Sequence, residues 1–292
     1  MKTITTIIVL TILSFHLTAQ KNDIEQAIVD EGMAMYQSEM ASWYGTDLFR
    51  EKLPQKMEQI GGYFSYPNEN GGATCVFINQ AKPPQAYVVF TFDDTFDETT
   101  AKIDTTVRDL TTIEYDLYAM RLATVERTRK DKIFEYYENT RYNIIPLIRN
   151  GEKKVFILTA PEKTGVVLFG NDYEITFNAK NKIKKVRKIH QNLIAIDYTQ
   201  KLDDENAKQV SGIHSHLPET GDYMTSTDIC TLLLYSKYTD WERHTVISKK
   251  FMCVWSCESQ KLAVIPMDAI EKMEEEGEEK KAPKKRKSKR KN

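Results

Sequence analysis

Two histidines, His214 and His216, are separated by a single residue and follow an apolar run, VSGI, that is typical of a strand. Residues i and i+2 of a strand point to the same face, so both imidazoles can bind one ion. Asp228 comes twelve residues after His216, at the start of a predicted helix, and a loop containing Pro218 and Gly221 allows the chain to fold back. The spacing predicts one zinc ion with three protein ligands and a fourth position open to water, as in catalytic zinc sites.

A hydrolase built on such a site also needs a general base beside the water. Glu162 lies at the head of an apolar strand, in the sequence EKTG that precedes VVLFG. Glu174, on another predicted strand, is the alternative. We therefore take Glu162 as the candidate base and expect it at water-bridged distance from the metal ligands.

These three motifs resemble those of the JAMM/MPN-type (JAB domain) zinc metalloproteases. The resemblance rests on E-x-x-G before an apolar strand, H-S-H about fifty residues later, and T-x-x-D after that, and it covers only the second half of the chain. It implies that His214, His216 and Asp228 bind zinc. It also implies that Glu162 acts as the acid/base and that Thr225 takes the place of the oxyanion-stabilising serine of the family.

The sequence differs from the usual family pattern at three points. The spacer between His216 and Thr225 is one residue longer, Leu217 intervenes before Pro218, and threonine replaces serine. Because Ser226 is adjacent, it is a second candidate for the oxyanion role. The metal ligands are the same in type and order as in the family.

These features lead to one main hypothesis and to two alternatives. The main hypothesis is an exported zinc-dependent hydrolase that cleaves peptide or isopeptide bonds in a peptide or protein substrate. The first alternative is a non-catalytic JAMM-like scaffold or binding protein of the cell envelope. The second is a structural metal site that combines His244 with Cys230, Cys253 or Cys257, although C-x₃-C on a strand is poorly spaced for one ion. His190 and His244 are otherwise interpreted as structural or surface residues.

The N-terminus has the pattern of a secretory signal peptide. One lysine precedes an apolar run over residues 4–15, and small and polar residues follow. We expect residues 1–20 to be removed near Ala19 or Gln20, so that the mature chain is periplasmic or secreted. The apolar run is too short for a transmembrane helix, and no later segment resembles one.

Hydrophobic periodicity predicts an α+β fold class, with an N-terminal α+β module over residues 21–145 and a mixed-sheet, JAMM/MPN-like α/β domain over residues 146–272. The first module begins with an amphipathic helix over residues 22–44, and three short antiparallel strands follow within residues 60–92. A capping box over residues 111–114 then begins a second helix. The second domain consists of closely spaced strands, with one helix, STDICTLLLYSKY, after the histidine pair.

Residues 273–292 form a charged tail, acidic first and then basic, which we expect to be disordered. The whole chain has a net charge of −1, but nine basic residues and no acid lie between Lys280 and Asn292. The rest of the chain therefore carries about ten negative charges, which argues against nucleic-acid binding by its body. The tail can tether the protein electrostatically to an anionic surface.

Overall fold

The computed structural model of the chain describes the backbone of residues 2–199 and 208–281, and the side chains of residues 23–199 and 208–275. The predicted signal peptide, residues 1–20, and the basic end of the predicted tail, residues 282–292, lie outside the described side chains. Within the described part, the chain forms an α+β fold with four sheets and four α-helices. No helix in that part is long and apolar enough to span a membrane.

The N-terminal region consists of a long helix and an antiparallel sheet. Helix α1 (Lys2–Lys52) continues beyond the predicted end at residue 44. The three predicted strands pair in sequence order, two shorter strands complete the sheet, and a short 3₁₀ helix precedes it. These elements are the 3₁₀ helix (Pro54–Gln59), β1 (Ile60–Pro67), β2 (Ala73–Asn79), β3 (Gln85–Thr91), β4 (Lys102–Asp104) and β5 (Arg108–Asp109).

Helix α2 (Thr112–Thr128) begins at the predicted capping box. The Thr111 side chain accepts a hydrogen bond from the Glu114 backbone N–H, and the Glu114 carboxylate accepts one from the Thr111 N–H. Arg108 forms two further hydrogen bonds of 2.7 Å to the same carboxylate. The buried charge of Glu114 is therefore fully paired, as burial of a carboxylate requires.

The described part of the second half of the chain contains three sheets and two helices. One antiparallel sheet has the order β10-β9-β7-β6, and β8 pairs with β11. In the last sheet, of order β12-β13-β14-β15, β12 runs parallel to β13 and the other pairs are antiparallel. The elements are β6 (Thr140–Arg149), β7 (Glu152–Pro161), β8 (Val166–Gly170), β9 (Tyr173–Phe177), β10 (Ile183–Lys188), β11 (Leu193–Asp197), β12 (Ser211–Ser215), α3 (Ser226–Tyr235), β13 (Arg243–Ile247), β14 (Phe251–Ser256), β15 (Lys261–Pro266) and α4 (Met267–Lys281).

Two details differ from the sequence-based expectations. The segment HTVISKKFMCVWSC is two strands, because a turn at residues 248–250 separates β13 from β14. Helix α4 includes residues 273–281, which were expected to be disordered. Glutamate and lysine are strong helix formers, so a segment without apolar side chains to bury can still continue a helix.

The two halves of the chain share a hydrophobic core. Phe64 and Val76 of the first sheet belong to the same buried cluster as Val155 and Ile157 of β7. The boundary predicted between residues 145 and 146 falls inside β6. The N-terminal region is therefore packed against the second half through continuous apolar contacts.

Helix α1 also crosses α3 at very close range. A Cβ atom on Gly32 would lie 2.7 Å from both Cβ and Cγ2 of Ile229, so only glycine fits at this crossing. One residue earlier, the Glu31 carboxylate accepts a hydrogen bond of 2.8 Å from the Ser226 hydroxyl and pairs with Lys154 at 3.0 Å. The long helix therefore holds the N-terminal end of α3, where Asp228 lies.

Candidate metal centre

Four buried side chains meet at the end of β12. His190, His214, His216 and Asp228 each offer one ligand atom, and these atoms all lie within 4.8 Å of one another. Within the described residues, this is the one group of histidine, cysteine and acidic side chains that has metal-binding geometry. The three predicted ligands are brought together, and His190, which was interpreted as a structural or surface residue, joins them.

The alternation of β12 places both of its histidines on the buried face. His214 and His216 are each 7% exposed, whereas the residues between and beside them, Ser215 and Ile213, are exposed. The ring nitrogens Nε2 of the two histidines lie 3.2 Å apart. The i, i+2 pattern of the sequence therefore produces the predicted convergence.

Asp228 reaches the histidines from the first turn of α3. Thr225 is the N-cap residue of this helix, and its side chain accepts a hydrogen bond from the Asp228 N–H. The Thr225 hydroxyl and backbone N–H also donate to Asp228 Oδ2, at 2.8 and 2.9 Å. Asp228 Oδ1 is left 3.6 Å from Nε2 of both His190 and His214. The predicted oxyanion residue Thr225 thus holds the orientation of the ligand carboxylate.

His190 is fixed by a buried aspartate that follows β8. Asp172, which is 3% exposed, lies with Oδ1 2.8 Å from His190 Nδ1. Since an ionised carboxylate only accepts hydrogen bonds, Nδ1 carries the proton and Nε2 faces the group. His190 Nε2 lies 3.0 Å from His216 Nε2. At Gly170, φ is +89° and an added Cβ would lie 2.2 Å from the Asn192 carbonyl oxygen, so glycine is needed for this close approach.

A second aromatic layer supports His214. Its Nδ1 lies 2.9 Å from Nε2 of His244, which is completely buried in β13. The Phe169 ring lies over both imidazoles, at centroid distances of 5.1 Å and 4.8 Å. His244 therefore orients His214 from behind, as the outer hydrogen-bond partners of metal-binding histidines do.

The electrostatics of the group favour a cation. Burial would lower the pKa of His190, but the negative charges of Asp172 and Asp228 outweigh it and raise that pKa to about 9. Burial lowers the pKa of His214 to about 4 and that of His244 to about 3. Burial would raise the pKa of Asp228, but the surrounding histidines hold it well below its usual range. The carboxylate of Asp228, and beside it the side chain of Asp172, therefore lie in a buried site.

The separations fit a tetrahedral metal ion. Bonds of about 2.0 to 2.1 Å in a tetrahedron set neighbouring ligand atoms about 3.3 Å apart. The distances between histidine Nε2 atoms, and from these atoms to Asp228 Oδ1, include values of 3.0, 3.2, 3.6 and 3.6 Å, and the four ligand atoms all lie within 4.8 Å of one another. A divalent cation would also neutralise the two buried carboxylates, which otherwise face one protonated imidazole. The group can therefore bind a metal ion through three imidazole nitrogens and one carboxylate oxygen.

No known protein identifies this centre. No family model, no curated protein and no solved structure shows significant similarity to the chain. The interpretation of the site depends on the geometry and chemistry of its own residues, and the resemblance to the JAMM/MPN-type proteases stays a prediction.

Glu162 lies outside the four-residue group. Its side chain is exposed just beyond the end of β7, and its backbone N–H donates to the Asn139 carbonyl oxygen. The loop after Glu162 leads into β8 at Val166, whereas the opposite end of β8, Gly170, adjoins His190. Those two ends are separated by roughly 13 Å at the rise of a strand. The structure does not bring Glu162 into the group, and its role as a general base stays a prediction.

The cysteine alternative does not form a site among the described residues. All four cysteines are free, and none belongs to the group. Cys230 and Cys253 are buried in apolar clusters, and the Cys253 sulfur accepts a hydrogen bond from the Met224 N–H. His244 contacts the candidate ligand His214 instead of a thiol.

Proposed function

We propose that the chain is a zinc-binding protein in which His190, His214, His216 and Asp228 hold one ion in a closed, four-ligand site. The observation that supports this most directly is the convergence of four buried ligand atoms within 4.8 Å of one another, with the shortest separations, 3.0 to 3.6 Å, close to the edge of a tetrahedron of zinc bonds. Imidazole and carboxylate ligands in tetrahedral arrangement suit zinc better than magnesium or calcium, which prefer six or more oxygen ligands.

The closed ligand set favours a structural role for the ion. Four protein ligands fill the tetrahedral positions, whereas a catalytic zinc site usually keeps one for water. The side chains of His214, His216 and Asp228 are at most 2% exposed, and that of His190 is 10% exposed. The ion would join the segment after β10, the edge strand β12 and helix α3, which are distant in sequence. Binding would thereby stabilise the packing of the second half of the chain.

A zinc-dependent hydrolase of peptide or isopeptide bonds is the second candidate. One observation favours it, because His214, His216 and Asp228 form the strand-loop-helix arrangement that the JAMM resemblance implies. A bound zinc ion would supply Lewis acidity toward a carbonyl group. In this hypothesis Glu162 accepts the proton, Thr225 orients Asp228, and His190 must leave its position or share a five-coordinate site. The alternative is the non-catalytic scaffold or binding protein of the envelope.

Export is a separate part of the proposal. The signal-like segment over residues 1–20 supports delivery of the protein to the periplasm or the exterior. The nine basic residues at the end of the chain support an electrostatic contact with an anionic surface. Mass spectrometry of the cell-envelope fraction tests the first point, because detection of intact Met1 would contradict cleavage.

Metal analysis of the purified protein tests the zinc site. We expect one zinc ion per chain, and loss of the ion in His216→Ala. The control is Lys208→Ala, because Lys208 is exposed and pairs with Asp240 on the surface. This substitution should leave the zinc content unchanged. A chain that copurifies with no metal and binds none during titration would overturn the proposal.

Cobalt substitution separates the closed site from the hydrolase. A closed Co²⁺ site should have the absorption spectrum of tetrahedral cobalt, and acetohydroxamate should not change it. In His190→Ala, a water or a hydroxamate can take the fourth position, so the same addition should shift the spectrum. If hydroxamate shifts the spectrum of the wild-type protein, and Glu162→Gln abolishes a measured peptidase activity, the hydrolase becomes the better description.

A further inference from the structure

Strand β12 has one paired edge and one open edge. Within the described residues it pairs only with β13, in parallel. On that side the Val210 carbonyl oxygen accepts a hydrogen bond from the Glu242 N–H, and the His216 N–H donates to the Ile247 carbonyl oxygen, both at 2.8 Å. Main-chain groups of successive strand residues alternate between the two edges. The N–H and C=O groups of the odd-numbered residues, 211, 213 and 215, therefore point to the opposite edge.

Within the described part of the chain, the residues along the open edge are exposed. Ser211, Ile213 and Ser215 are exposed, and Ile213 is 62% exposed. Their main-chain groups have no hydrogen-bond partner among the described residues. The register of β12 with β13 has no irregularity, so the strand is straight enough to accept another strand. It presents three N–H and three C=O groups at the spacing of extended chain.

Three other outer strands, β1, β10 and β15, carry features that prevent pairing, and β12 carries none of them. Strand β10 has four basic residues and a register shift, and β1 has a register shift and ends at Pro67. Strand β15 begins with Lys261, ends at Pro266 and is followed directly by α4. Charges, prolines and bulges are the usual means of protecting an edge strand. The sequence of β12, SGIHS, has no acid, lysine, arginine or proline, which suggests that its edge is used.

We propose that β12 pairs antiparallel with β12 of a second copy of this chain, about a two-fold axis at Ile213. The outward row Ser211, Ile213, Ser215 has the same residue types in both directions. Antiparallel pairing therefore places Ser211 opposite Ser215 of the second copy and Ile213 opposite Ile213. Symmetric pairing of one patch with itself is the usual arrangement of a two-fold dimer.

The pairing satisfies every outward main-chain group of the strand. In an antiparallel ladder, residues whose main-chain groups face the partner form pairs that exchange two hydrogen bonds. The three pairs of this register would therefore form six bonds. Ser–Ser and Ile–Ile neighbours across strands are favourable, and Val210 and Leu217, both partly exposed, lie just beyond the two ends. A contact this short predicts a reversible, concentration-dependent dimer.

Sedimentation equilibrium of the full chain, from micromolar to millimolar concentration, tests the proposal. We expect a monomer–dimer equilibrium for the zinc-loaded wild type. Ile213→Pro should raise the dimer dissociation constant roughly tenfold or more, because it removes the outward N–H from both copies and leaves the bonds to β13 intact. Ile213→Thr, which keeps the N–H and the β-branched shape, is the matched control and should still dimerise.

Two charge variants keep the test decisive if the proline variant does not fold. Ile213→Glu and Ile213→Lys each place like charges opposite each other at the two-fold axis, so each alone should be monomeric. An equimolar mixture should restore the dimer, because unlike charges then face each other. A wild type that stays monomeric at millimolar concentration overturns the second-copy assignment and leaves a foreign strand as the occupant. A dimer that all these variants retain also overturns it, since another surface must then form the contact.

Discussion

Asp172 holds His190 through two hydrogen bonds to a single carboxylate oxygen. Asp172 Oδ1 lies 2.8 Å from His190 Nδ1 and 3.0 Å from the His190 backbone nitrogen. Both residues are at least nine-tenths buried. The aspartate thereby fixes the ring, its tautomer and the direction of Nε2, and it contributes the second negative charge beside the proposed ion.

Removal of that charge should weaken metal binding without removing a ligand. We expect Asp172→Asn to lower zinc affinity roughly 10- to 100-fold, because outer-shell partners of metal-binding histidines have effects of this size. Competition with a chromogenic chelator measures the affinity. Asp240→Asn is the matched control, since Asp240 is exposed and pairs only with Lys208 on the surface. Equal affinities of Asp172→Asn and the wild type would indicate that His190 is not a ligand.

Three of the four candidate ligands could be predicted from the sequence because they are close in the chain and follow local rules. His214 and His216 follow the two-residue period of a strand, and Asp228 lies at the third position of a capped helix. His190 has no such local signal, because Asp172 and His190 meet only through the pairing of β9 with β10. The available hint was a histidine just after a predicted strand, with GND eighteen to twenty residues before it.

Fold prediction succeeded where the periodicity was strong and failed where tertiary contacts decide. Strand β2 and the capping box of α2 lie where the sequence predicts them. The division between residues 145 and 146 falls inside β6, because both halves contribute to one hydrophobic core that no local pattern reveals. Glu162 was selected from a short motif with little information, and the strand-end position it predicts is compatible with exposure to solvent.

Zinc binding should release a proton from His190. In the ion-free protein its pKa is about 9, above the ordinary 6.5, because Asp172 and Asp228 outweigh the effect of burial. The protonated ring therefore stabilises the ion-free fold below pH 6.5, and this contribution is lost as the pH rises through about 9. Since zinc replaces that proton, apparent zinc affinity should rise about tenfold per pH unit between roughly pH 7 and 9.

Calorimetry in buffers of different ionisation enthalpy measures this proton directly. The wild type should release about one proton per zinc ion from His190 at pH 7.5. His190→Ala should release correspondingly less and bind more weakly. A proton count that is the same in both proteins would contradict the assignment of the raised pKa to His190.

A second pH-dependent group, Glu39, lies in α1 and outside the four-residue group. Glu39 accepts a hydrogen bond from the Asn143 side chain, and burial raises its pKa to about 7 although Arg121 and Arg141 oppose the change. A carboxyl with a raised pKa stabilises the fold fully below its unfolded value of 4.5, and this contribution is lost as the pH rises through about 7. Glu39→Gln should therefore raise the Tm at pH 8 and change it little at pH 5.

Thermal unfolding at the two pH values measures this difference. Glu51→Gln is the control, because Glu51 lies on the same helix and is exposed. If Glu39→Gln lowers the Tm at pH 8, the ionised carboxylate stabilises the fold. The polar partners of Glu39, and not its burial, would then determine its pKa.

The contact between α1 and α3 should control both stability and metal affinity. In Gly32→Ala, the added Cβ would lie 2.7 Å from Ile229 Cβ and 2.9 Å from the Ser226 carbonyl oxygen, so one of the helices must move. Alanine is favoured over glycine in a helix by about 1 kcal/mol, but overpacking of this kind costs about 1 to 3 kcal/mol. Because neither neighbouring atom is at the end of a flexible side chain, we expect the steric cost to be the larger effect.

The variant should therefore unfold at a Tm several degrees below that of the wild type. It should also bind zinc more weakly, since displacement of the first turn of α3 moves Asp228 away from the histidines. Ala27→Val, on the exposed side of the same helix, adds more atoms and should change neither quantity by a comparable amount. A lower Tm with unchanged zinc affinity would mean that α1 supports the fold but not the metal site. If both quantities match those of the wild type, the two helices can separate at Gly32 at no cost, and the N-terminal helix has no influence on the position of Asp228.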